Sequence, residues 1–262
     1  MRRMSDSAGA TQRVLVTGGA GGIGLAVTRA FVDDGARVHL ADPDAAALAA
    51  VTESTEAVTG SACDITDPAA VTAMMDDLLV ALGGLDVLVN NAGIAGPTAP
   101  VHEYAPDAWD AVVAVNLTGT FNVTRRAIPL LQQSRAASII VMSSLAGRFG
   151  YPNRVAYATT KWGLVGFTKT LALELGPFGI TANSIHPGAV EGERVRQVLR
   201  DRADVSGRTV EDETGRALAN QSIGRFADPV DIAALILFLA GPHARSISGQ
   251  MLPIDGDSKS AQ

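Results

Sequence analysis

The sequence predicts a single α/β domain built on a doubly wound parallel sheet of about seven strands, with helices on both faces. The chain has 262 residues, 47% of them hydrophobic, which is enough for one large core. Short apolar, β-branched segments alternate with longer helical patterns, and this alternation favours parallel strands joined by right-handed crossovers. No repeat or composition break divides the chain. We therefore expect a flexible tail over residues 1–12 and one domain over residues 13–262.

The predicted elements follow one another in this alternating order. The strands are expected at residues 14–16, 37–40, around Cys63, 85–89, 138–142, 181–185 and 248–254. The helices are expected at residues 23–33, 44–57, 107–133 and 155–175, where apolar residues recur at helical spacing. Because parallel strands end at one edge of a sheet, the residues that follow these strands should gather there.

Composition excludes several classes of partner and site. The net charge is −6 and no block of Lys and Arg occurs, so we expect neither a nucleic acid nor a membrane as partner. No apolar segment reaches the roughly 18 residues of a membrane span, and no apolar signal sequence follows the basic N-terminus. Cys63 is the single cysteine and the four histidines are scattered, which excludes an intrachain disulfide and predicts no metal site. We expect a cytoplasmic protein.

A glycine-rich turn connects the first strand to the first helix. Gly18, Gly22 and Gly24 surround Ile23 in this turn. In such a unit, glycines allow a tight turn, close approach of the backbone to a pyrophosphate, and close packing of the helix on the strand. Free N–H groups at the helix N-terminus attract phosphate. A mere tight turn is the alternative, but the strand before and the helix after favour a Rossmann-type dinucleotide site.

Asp42 closes the second strand, where a ribose-binding acid is expected in this unit. Its carboxylate can accept hydrogen bonds from a ribose 2′-hydroxyl and would repel a 2′-phosphate. No basic residue interrupts the glycine turn over residues 18–24. The alternative is a capping role at the start of the next helix, within Asp42-Pro43-Asp44. We predict NAD rather than NADP as the cofactor.

Tyr157 and Lys161 are spaced to share one face of a helix. A free phenol has a pKa near 10, and a neighbouring positive charge lowers it toward the range of a useful base. Ser144 ends a buried strand, so its side chain should emerge at the carboxyl edge of the sheet. Asn116 lies inside a predicted helix, where Asn is a poor helix former. Taken alone, Tyr157 and Lys161 could be a surface pair and Asn116 a solvent-facing residue.

Together these residues resemble the short-chain dehydrogenases/reductases, in their single-domain branch. The resemblance covers residues 13–256, and the interval of 13 residues between Ser144 and Tyr157 matches the family's usual one and selects Ser144 over Ser143. The motifs stand in the family's order: Thr17-Gly18 to Gly24, Asp64, Asn90-Asn91-Ala92-Gly93, Asn116, Ser144, Tyr157 to Lys161, and Pro187-Gly188. The resemblance implies that residues 13–262 both bind a dinucleotide and carry out catalysis.

The resemblance also implies a role for each residue. Tyr157 would exchange a proton with the substrate oxygen, and Ser144 would hydrogen-bond that oxygen. Lys161 would bond the nicotinamide ribose and lower the pKa of the phenol, while Asn116 would hold a water for proton relay. Cofactor contacts are implied for Asp64 and Ile65 at the adenine, for Asn90, Ala92 and Gly93 at a ribose, and for Pro187, Gly188 and Val190 at the nicotinamide.

The substrate side is less defined. By resemblance, Leu145 and Tyr151 would line the pocket. The family often has a Thr four residues after the Gly of the Pro-Gly pair, and Gly192 stands there instead. Residues 191–222 are charge-rich, and we expect Gly207 and Gly215 to interrupt their helical pattern. They predict an excursion on the substrate side, either a solvated helical insertion or a lid.

The expected function is an NAD-dependent oxidoreductase that transfers a hydride between NAD(H) and a small-molecule secondary alcohol or ketone, such as a small or cyclic alcohol or a polyol. A non-catalytic NAD-binding regulatory or scaffold protein of the same fold is the alternative. An epimerase or dehydratase usually needs a separate substrate domain, for which 262 residues leave little room. The resemblance implies a homotetramer formed through the two long helices and the C-terminal segment.

Overall fold

The computed structural model describes residues 11–261, in which seven parallel strands form one sheet. Each strand is short and mostly buried, as expected for a sheet covered on both faces. The strands are β1 (Arg13–Thr17), β2 (Arg37–Asp42), β3 (Val58–Ala62), β4 (Val87–Asn90), β5 (Ser138–Met142), β6 (Thr181–Pro187) and β7 (Met251–Ile254). Their order in the sheet is β3-β2-β1-β4-β5-β6-β7. The predicted fold class is confirmed.

Helices connect the strands and cover both faces of the sheet. They are α1 (Gly22–Asp33), α2 (Ala45–Thr52), α3 (Pro68–Leu82), α4 (Pro106–Val113), α5 (Thr120–Leu131), α6 (Val155–Leu175), α7 (Glu193–Ser206), α8 (Val210–Ala219) and α9 (Pro229–Ala240). A π-helical turn, Ala114–Gly119, joins α4 to α5. The helix predicted over residues 107–133 is therefore two α-helices with a wider turn between them.

Two apolar layers hold the sheet between its helices. On one face, α3, α5 and α6 bury residues such as Leu78, Leu131 and Leu164 against the strands. On the other face, α1 and α9 bury Phe31 and Ile236. Burying each such side chain contributes roughly 1.5–3 kcal/mol. These layers fix the strand ends that carry the candidate site.

Two helices, α3 and α9, were not predicted from the periodicity of the sequence. Each begins with an Asp-Pro pair: the side chain of Asp67 accepts a hydrogen bond from Ala69 N, and that of Asp228 accepts one from Val230 N. Proline suits the first helical position because its missing N–H would be unpaired there anyway. The Asp-Pro pairs therefore marked the starts of these two helices in the sequence, although the spacing of apolar residues did not indicate them.

Several predicted boundaries were wrong. Helix α2 ends at Thr52 rather than at residue 57, because the chain turns there to enter β3. Cys63 follows β3 instead of lying within it. Residues 191–222 form two helices, and Gly207 ends α7 with a left-handed φ of 70°. Gly215 lies inside α8 and interrupts nothing.

The tail predicted over residues 1–12 lies mostly outside the described residues, which begin at Thr11. Gln12 is anchored, because its side-chain amide donates a hydrogen bond to the carbonyl of Ala240 at 3.0 Å. No helix between residues 11 and 261 is both long enough and apolar enough to cross a membrane.

Candidate active site

A cavity of about 430 Å³ opens at the carboxyl edge of the sheet. It lies where the strand order reverses between β1 and β4, the position at which ligands bind in doubly wound sheets. Of the residues predicted for the site, its lining includes Gly18, Gly22, Ile23, Ala92, Gly93, Ser144, Leu145, Tyr151, Tyr157, Lys161, Pro187, Gly188 and Val190. Outside that lining lie Gly24, Asp42, Asp64, Ile65, Asn90 and Asn116.

The glycine turn has the backbone geometry that a phosphate-binding turn requires. Gly18 and Gly22 have left-handed φ values of 61° and 52°, which L side chains rarely adopt. A Cβ on Gly24 would overlap the carbonyl oxygen of Gly18. No side chain in the described part of the chain caps the N-terminus of α1. Its first N–H groups therefore remain available to an anion, and the turn fits a dinucleotide diphosphate.

The turn is held against β4 by a pair of polar side chains. The amide of Asn91 donates to the carbonyls of Thr17 and Gly18 at 3.0 and 2.9 Å. In return, the hydroxyl of Thr17 accepts from the backbone N–H groups of Asn91 and Ala92, both at 3.0 Å. These bonds lock the two strand ends that flank the cavity. The sequence motif included both residues but gave neither a structural role.

Asp42 faces the glycine turn from the end of β2. One carboxylate oxygen accepts a hydrogen bond from Ala20 N at 3.2 Å, and the other accepts one from Asp44 N at 3.0 Å. The cap of α2 is Asp44, whose side chain accepts from Ala46 N and Ala47 N. The capping alternative for Asp42 is therefore wrong, and its carboxylate remains beside the turn.

Three residues assigned to the adenine and ribose lie outside the cavity lining and have different surroundings. Asp64 is exposed and accepts a hydrogen bond from Thr66 N at 2.9 Å. The Ile65 side chain is buried in the core, next to Gly119. The Asn90 amide donates to Thr124 Oγ1 at 2.8 Å, while its Oδ1 is buried without a hydrogen-bond partner among the described residues.

Tyr157 and Lys161 share one face of α6, as predicted from their spacing. Lys161 Nζ lies 5.6 Å from the centre of the Tyr157 ring. Lys161 is only 4% exposed, and its ammonium donates to the carbonyl of Met142 at 2.7 Å. A surface pair is thereby excluded, because the ammonium is anchored to the end of β5.

The surroundings of this pair shift both pKa values. Burial alone would raise the pKa of the Tyr157 phenol, but Arg194, Lys161, a hydrogen bond with Ser144 and Arg154 together bring it below its ordinary value. Burial, partly offset by Tyr157, lowers the pKa of Lys161 to about 8. At neutral pH Lys161 still carries its proton, so the phenol has a positive neighbour that favours its ionised form.

Ser144 lies directly after β5 and is supported from below by a buried histidine. His186 Nδ1 lies 3.0 Å from the Ser144 carbonyl, and its Nε2 lies 2.9 Å from Ser184 Oγ. Because a carbonyl can only accept, the proton must be on Nδ1. Burial lowers the pKa of His186 to about 4, so it remains neutral near pH 7. The hydroxyl of Ser143 donates instead to the carbonyl of Lys161 at 2.8 Å.

Asn116 lies in the π-helical turn and is fully buried, so the solvent-facing alternative is wrong. Its Oδ1 accepts from Ile94 N at 2.8 Å, and its Nδ2 donates to Ile94 O and Thr160 Oγ1, both at 3.0 Å. Both amide protons are thus engaged, while Oδ1 keeps a second lone pair. The wider turn carries this polar side chain to the floor of the site beside Gly93.

The segment after β6 closes the other side of the cavity. Gly188 N donates to Ile254 O at 3.2 Å, and a Cβ on Gly188 would lie 2.9 Å from the Asp255 Cα. Gly192 follows with a φ of 144° and precedes α7. Its missing side chain offers no hydroxyl where the family often has a Thr. Residues 191–222 do line the cavity, through positions on α7 and α8.

The cavity is also lined by three arginines that were not among the predicted site residues. Arg154, Arg194 and Arg202 come from the N-terminus of α6 and from α7. The guanidinium carbons of Arg154 and Arg194 lie 5.7 and 5.8 Å from the centre of the Tyr157 ring. Two features of the sequence pointed toward them. Arg154 lies three residues before Tyr157, about one helical turn away, and Arg194 and Arg202 lie in the charge-rich segment 191–222 that was predicted on the substrate side.

Comparison with known proteins finds similarity over most of the chain. A family model described as enoyl-(acyl carrier protein) reductase matches residues 18–256. D-beta-hydroxybutyrate dehydrogenase of Cupriavidus necator is 36% identical over 248 residues, which cover 92% of this chain and 95% of the relative.

Two solved structures share the fold closely. NAD+-bound xylitol dehydrogenase has a TM-score of 0.90 at 30% identity and covers 94% of this chain and 98% of its own. A variant of actinorhodin polyketide ketoreductase with NADPH has a TM-score of 0.89 at 33% identity, with 94% and 96% covered. The similar structures thus include one with each form of the cofactor.

Proposed function

The chain belongs to the short-chain dehydrogenase/reductase family of oxidoreductases, and we propose that it transfers a hydride between NAD(H) and a secondary alcohol or ketone with Tyr157 as acid and base. One observation carries the proposal. The phenol of Tyr157 lines the same cavity as the glycine turn, with the Lys161 ammonium 5.6 Å from its ring. A proton-transfer group and a phosphate-binding turn therefore open onto one space.

In the proposed reaction, the chain's residues handle the proton and position the reacting oxygen. During alcohol oxidation, the Tyr157 phenolate takes the carbinol proton while the Ser144 hydroxyl donates a hydrogen bond to the same oxygen. Lys161 keeps the phenol ionisable because its positive charge favours the phenolate. The bound nicotinamide supplies the hydride acceptor or donor. In ketone reduction, Tyr157 returns the proton to the developing alkoxide, which Ser144 stabilises.

The residues beneath the site have supporting roles. His186 fixes the backbone of Ser144, and Asn116 fixes the loop after β4 at Ile94, next to Gly93. The second lone pair of Asn116 Oδ1 can hold the relay water expected from the resemblance. Gly18, Gly22, Ile23 and Gly24 would hold the diphosphate. The remaining cofactor contacts proposed are those of Asp64, Ile65, Asn90, Ala92, Gly93, Pro187, Gly188 and Val190.

We propose NAD over NADP because of the acidic end of β2. The Asp42 carboxylate lies 3.2 Å from Ala20 N of the glycine turn, and Asp44 follows two residues later. A 2′-phosphate at this position would face negative charge, whereas a ribose 2′-hydroxyl would donate to it. Solved relatives include both an NAD+ and an NADPH complex, so cofactor choice depends on these local residues.

A kinetic test replaces Tyr157 with Phe and follows NADH formation with a series of secondary alcohols. Loss of a general acid and base lowers kcat by about 10²- to 10⁴-fold, while NADH binding, measured by fluorescence, should remain. Turnover that is unchanged in Tyr157→Phe would contradict the mechanism. A wild-type chain that binds NADH but oxidises no alcohol and reduces no ketone would favour the non-catalytic alternative.

The proposal extends to assembly and location. Phe121, Trp162 and Leu173 are exposed apolar residues on α5 and α6, and they support a homotetramer that buries these helices. Sedimentation equilibrium should give a mass of four chains, and Trp162→Glu should lower it. The cytoplasmic location and the assignment of residues 13–262 to one catalytic domain remain predictions from the sequence.

A further inference from the structure

Arg154 is an almost fully buried cation without a carboxylate partner in the described part of the chain. It is 3% exposed, and its guanidinium makes one hydrogen bond, from Nη1 to Thr98 Oγ1 at 2.8 Å. Its Nε is buried and has no acceptor between residues 11 and 261. Burying an unpaired ion is energetically unfavourable even after the protein relaxes around it. The structure thus holds a guanidinium with unused donors in the wall of the cavity.

Contacts with aromatic rings compensate only part of this cost. The guanidinium carbon of Arg154 lies 5.7 Å from the ring centres of both Tyr151 and Tyr157. A cation–π contact attracts the positive charge but leaves the N–H donors of the guanidinium without acceptors. The rings also do not satisfy the Nε–H group, because a ring face does not replace a hydrogen-bond acceptor in the plane of the guanidinium.

Two further arginines give the cavity an excess of positive charge. Arg194 lies 5.8 Å from the Tyr157 ring, and Arg202 lies 5.2 Å from the Tyr151 ring and donates to its hydroxyl. Neither forms an ion pair with a carboxylate among residues 11–261.

Acidic residues also line the cavity, but they are already paired. Glu191 pairs with Arg196 at 2.9 Å, and Glu193 pairs with Arg196 and with Arg200. Neither of these basic partners lines the cavity. The arginines that do line it therefore have no counter-ion in the wall.

We propose that Arg154, assisted by Arg202 and Arg194, binds an anionic group of the substrate, so that the substrate is a short-chain hydroxy or oxo acid. The proposal rests on the proposed function and specifies its substrate class. A carboxylate can accept two parallel hydrogen bonds from one guanidinium, which suits the free donors of Arg154. Because Arg154 contacts the ring of Tyr157, only a short carbon chain can join the carboxylate to the reacting carbinol.

Two other roles for Arg154 are alternatives to an anion site, and each would give a different experimental result. If Arg154 only lowered the pKa of Tyr157, its removal would shift the pH profile of kcat and affect charged and neutral substrates equally. If Arg154 only supported the fold, its removal would lower stability without changing the choice between substrates. An anion site instead predicts a loss confined to the charged substrate.

The test compares acids with their uncharged amides at three spacings: lactate and lactamide, 3-hydroxybutyrate and 3-hydroxybutyramide, and 4-hydroxyvalerate and 4-hydroxyvaleramide. In the wild type, at least one acid should exceed its amide in kcat/KM by about tenfold or more, because the amide leaves the buried charge unpaired. Arg154→Met should remove that preference, Arg154→Lys should keep part of it, and NADH affinity should stay unchanged in both.

Controls keep the test decisive. Arg29→Met removes an exposed arginine of α1 that is outside the cavity, and it should change nothing. Arg202→Gln, at a half-buried position, should weaken the acid preference even if Arg154→Met folds poorly. Equal loss for acids and amides in the Arg154 variants would overturn the proposal, as would amides that match or exceed acids at every spacing.

A binding measurement separates this proposal from the proposed function. Butyrate and butyramide are titrated calorimetrically into the chain saturated with NADH. Butyrate should bind at least about tenfold more tightly than butyramide, and Arg154→Met should abolish the difference. This result would support the anion site even if no alcohol were oxidised. Absence of a butyrate preference would overturn the anion site even if neutral alcohols were good substrates.

Discussion

The two sides of the cavity recognise their ligands by different means. The cofactor side, residues 13–93, presents glycines and backbone N–H groups, and Asp42 is the charged group beside its turn. The substrate side, residues 142–222, also includes the proposed nicotinamide contacts at residues 187–190, and it presents the ionisable side chains of Lys161, Tyr157 and three arginines. A diphosphate can be held by backbone and a helix dipole, whereas selecting and ionising a substrate requires placed charges.

This difference determines which kind of substitution impairs ligand binding or catalysis on each side. On the cofactor side, the critical property is space for the backbone, so added atoms are the damaging change. On the substrate side, the critical property is charge, so neutral replacements of the same size are the damaging change. The predictions below test this distinction.

The largest effect is expected from adding a side chain to Gly24. In Gly24→Val, the new Cβ would overlap the Gly18 carbonyl, so the turn must move away from the diphosphate. NADH binding, measured by fluorescence, should weaken by about 100-fold or more, and stability should fall by about 1–3 kcal/mol. Gly224→Val is the matched control because Gly224 is exposed, lies outside the cavity lining, and its Cβ would meet nothing within 4 Å. Normal NADH binding by Gly24→Val would contradict the role of the turn.

A smaller effect, on cofactor choice, is expected at Asp42. Asp42→Ser removes the negative charge beside the turn and should raise the ratio of kcat/KM for NADP to that for NAD by about 10- to 100-fold. Asp34→Ser, at an exposed position after α1, is the control and should leave the ratio unchanged. A wild-type chain that prefers NADP would show that Asp42 does not exclude a 2′-phosphate.

The smallest effects are expected from two buried histidines, one on each side. Burial lowers the pKa of His39 and of His186 to about 4. Both stay neutral in the folded state while the unfolded state takes up protons below about pH 6.5. Stability should therefore decrease as the pH falls from about 6.5 to 4. Denaturant unfolding of His39→Asn and His186→Asn should each show a shallower decrease over this range.

Kinetics separate the two histidines. His186 supports the Ser144 carbonyl, so His186→Asn should lower kcat by about tenfold with little change in NADH affinity. The His39 ring hydrogen-bonds with Thr59 and Ser61 on β3 and does not line the cavity, so His39→Asn should leave kcat unchanged. Equal kcat losses in both variants would assign His186 to stability alone.

The two sides of the cavity also differ in how much of their structure could be predicted from the sequence. The parallel sheet, helix α6 and the glycine turn were predicted because local spacing and backbone rules encode them. Helices α3 and α9 were missed, although the Asp-Pro pairs at Asp67 and Asp228 marked their starts. The π-helical turn that buries Asn116 has no local signature, because it depends on packing against Ile94 and Thr160.

The charges of the substrate side could not be predicted from spacing. Arg154 is buried where Thr98, from the segment after β4, packs against the stretch that contains Tyr151 and Tyr157. Arg202 reaches the same place from α7, about 50 positions further along the chain. Tertiary contacts of this range leave no periodic pattern in the sequence, whereas the glycines of a turn lie next to one another.

The ionisation of Tyr157 tests the central claim most directly. The chain has only three tyrosines, so the ultraviolet pH titration of the wild type minus that of Tyr157→Phe isolates one phenol. The surrounding cations predict that this phenol ionises below its ordinary pKa of 10, with the difference signal complete before Tyr104 ionises, since burial raises the pKa of Tyr104. A difference signal centred at or above pH 10 would contradict the account.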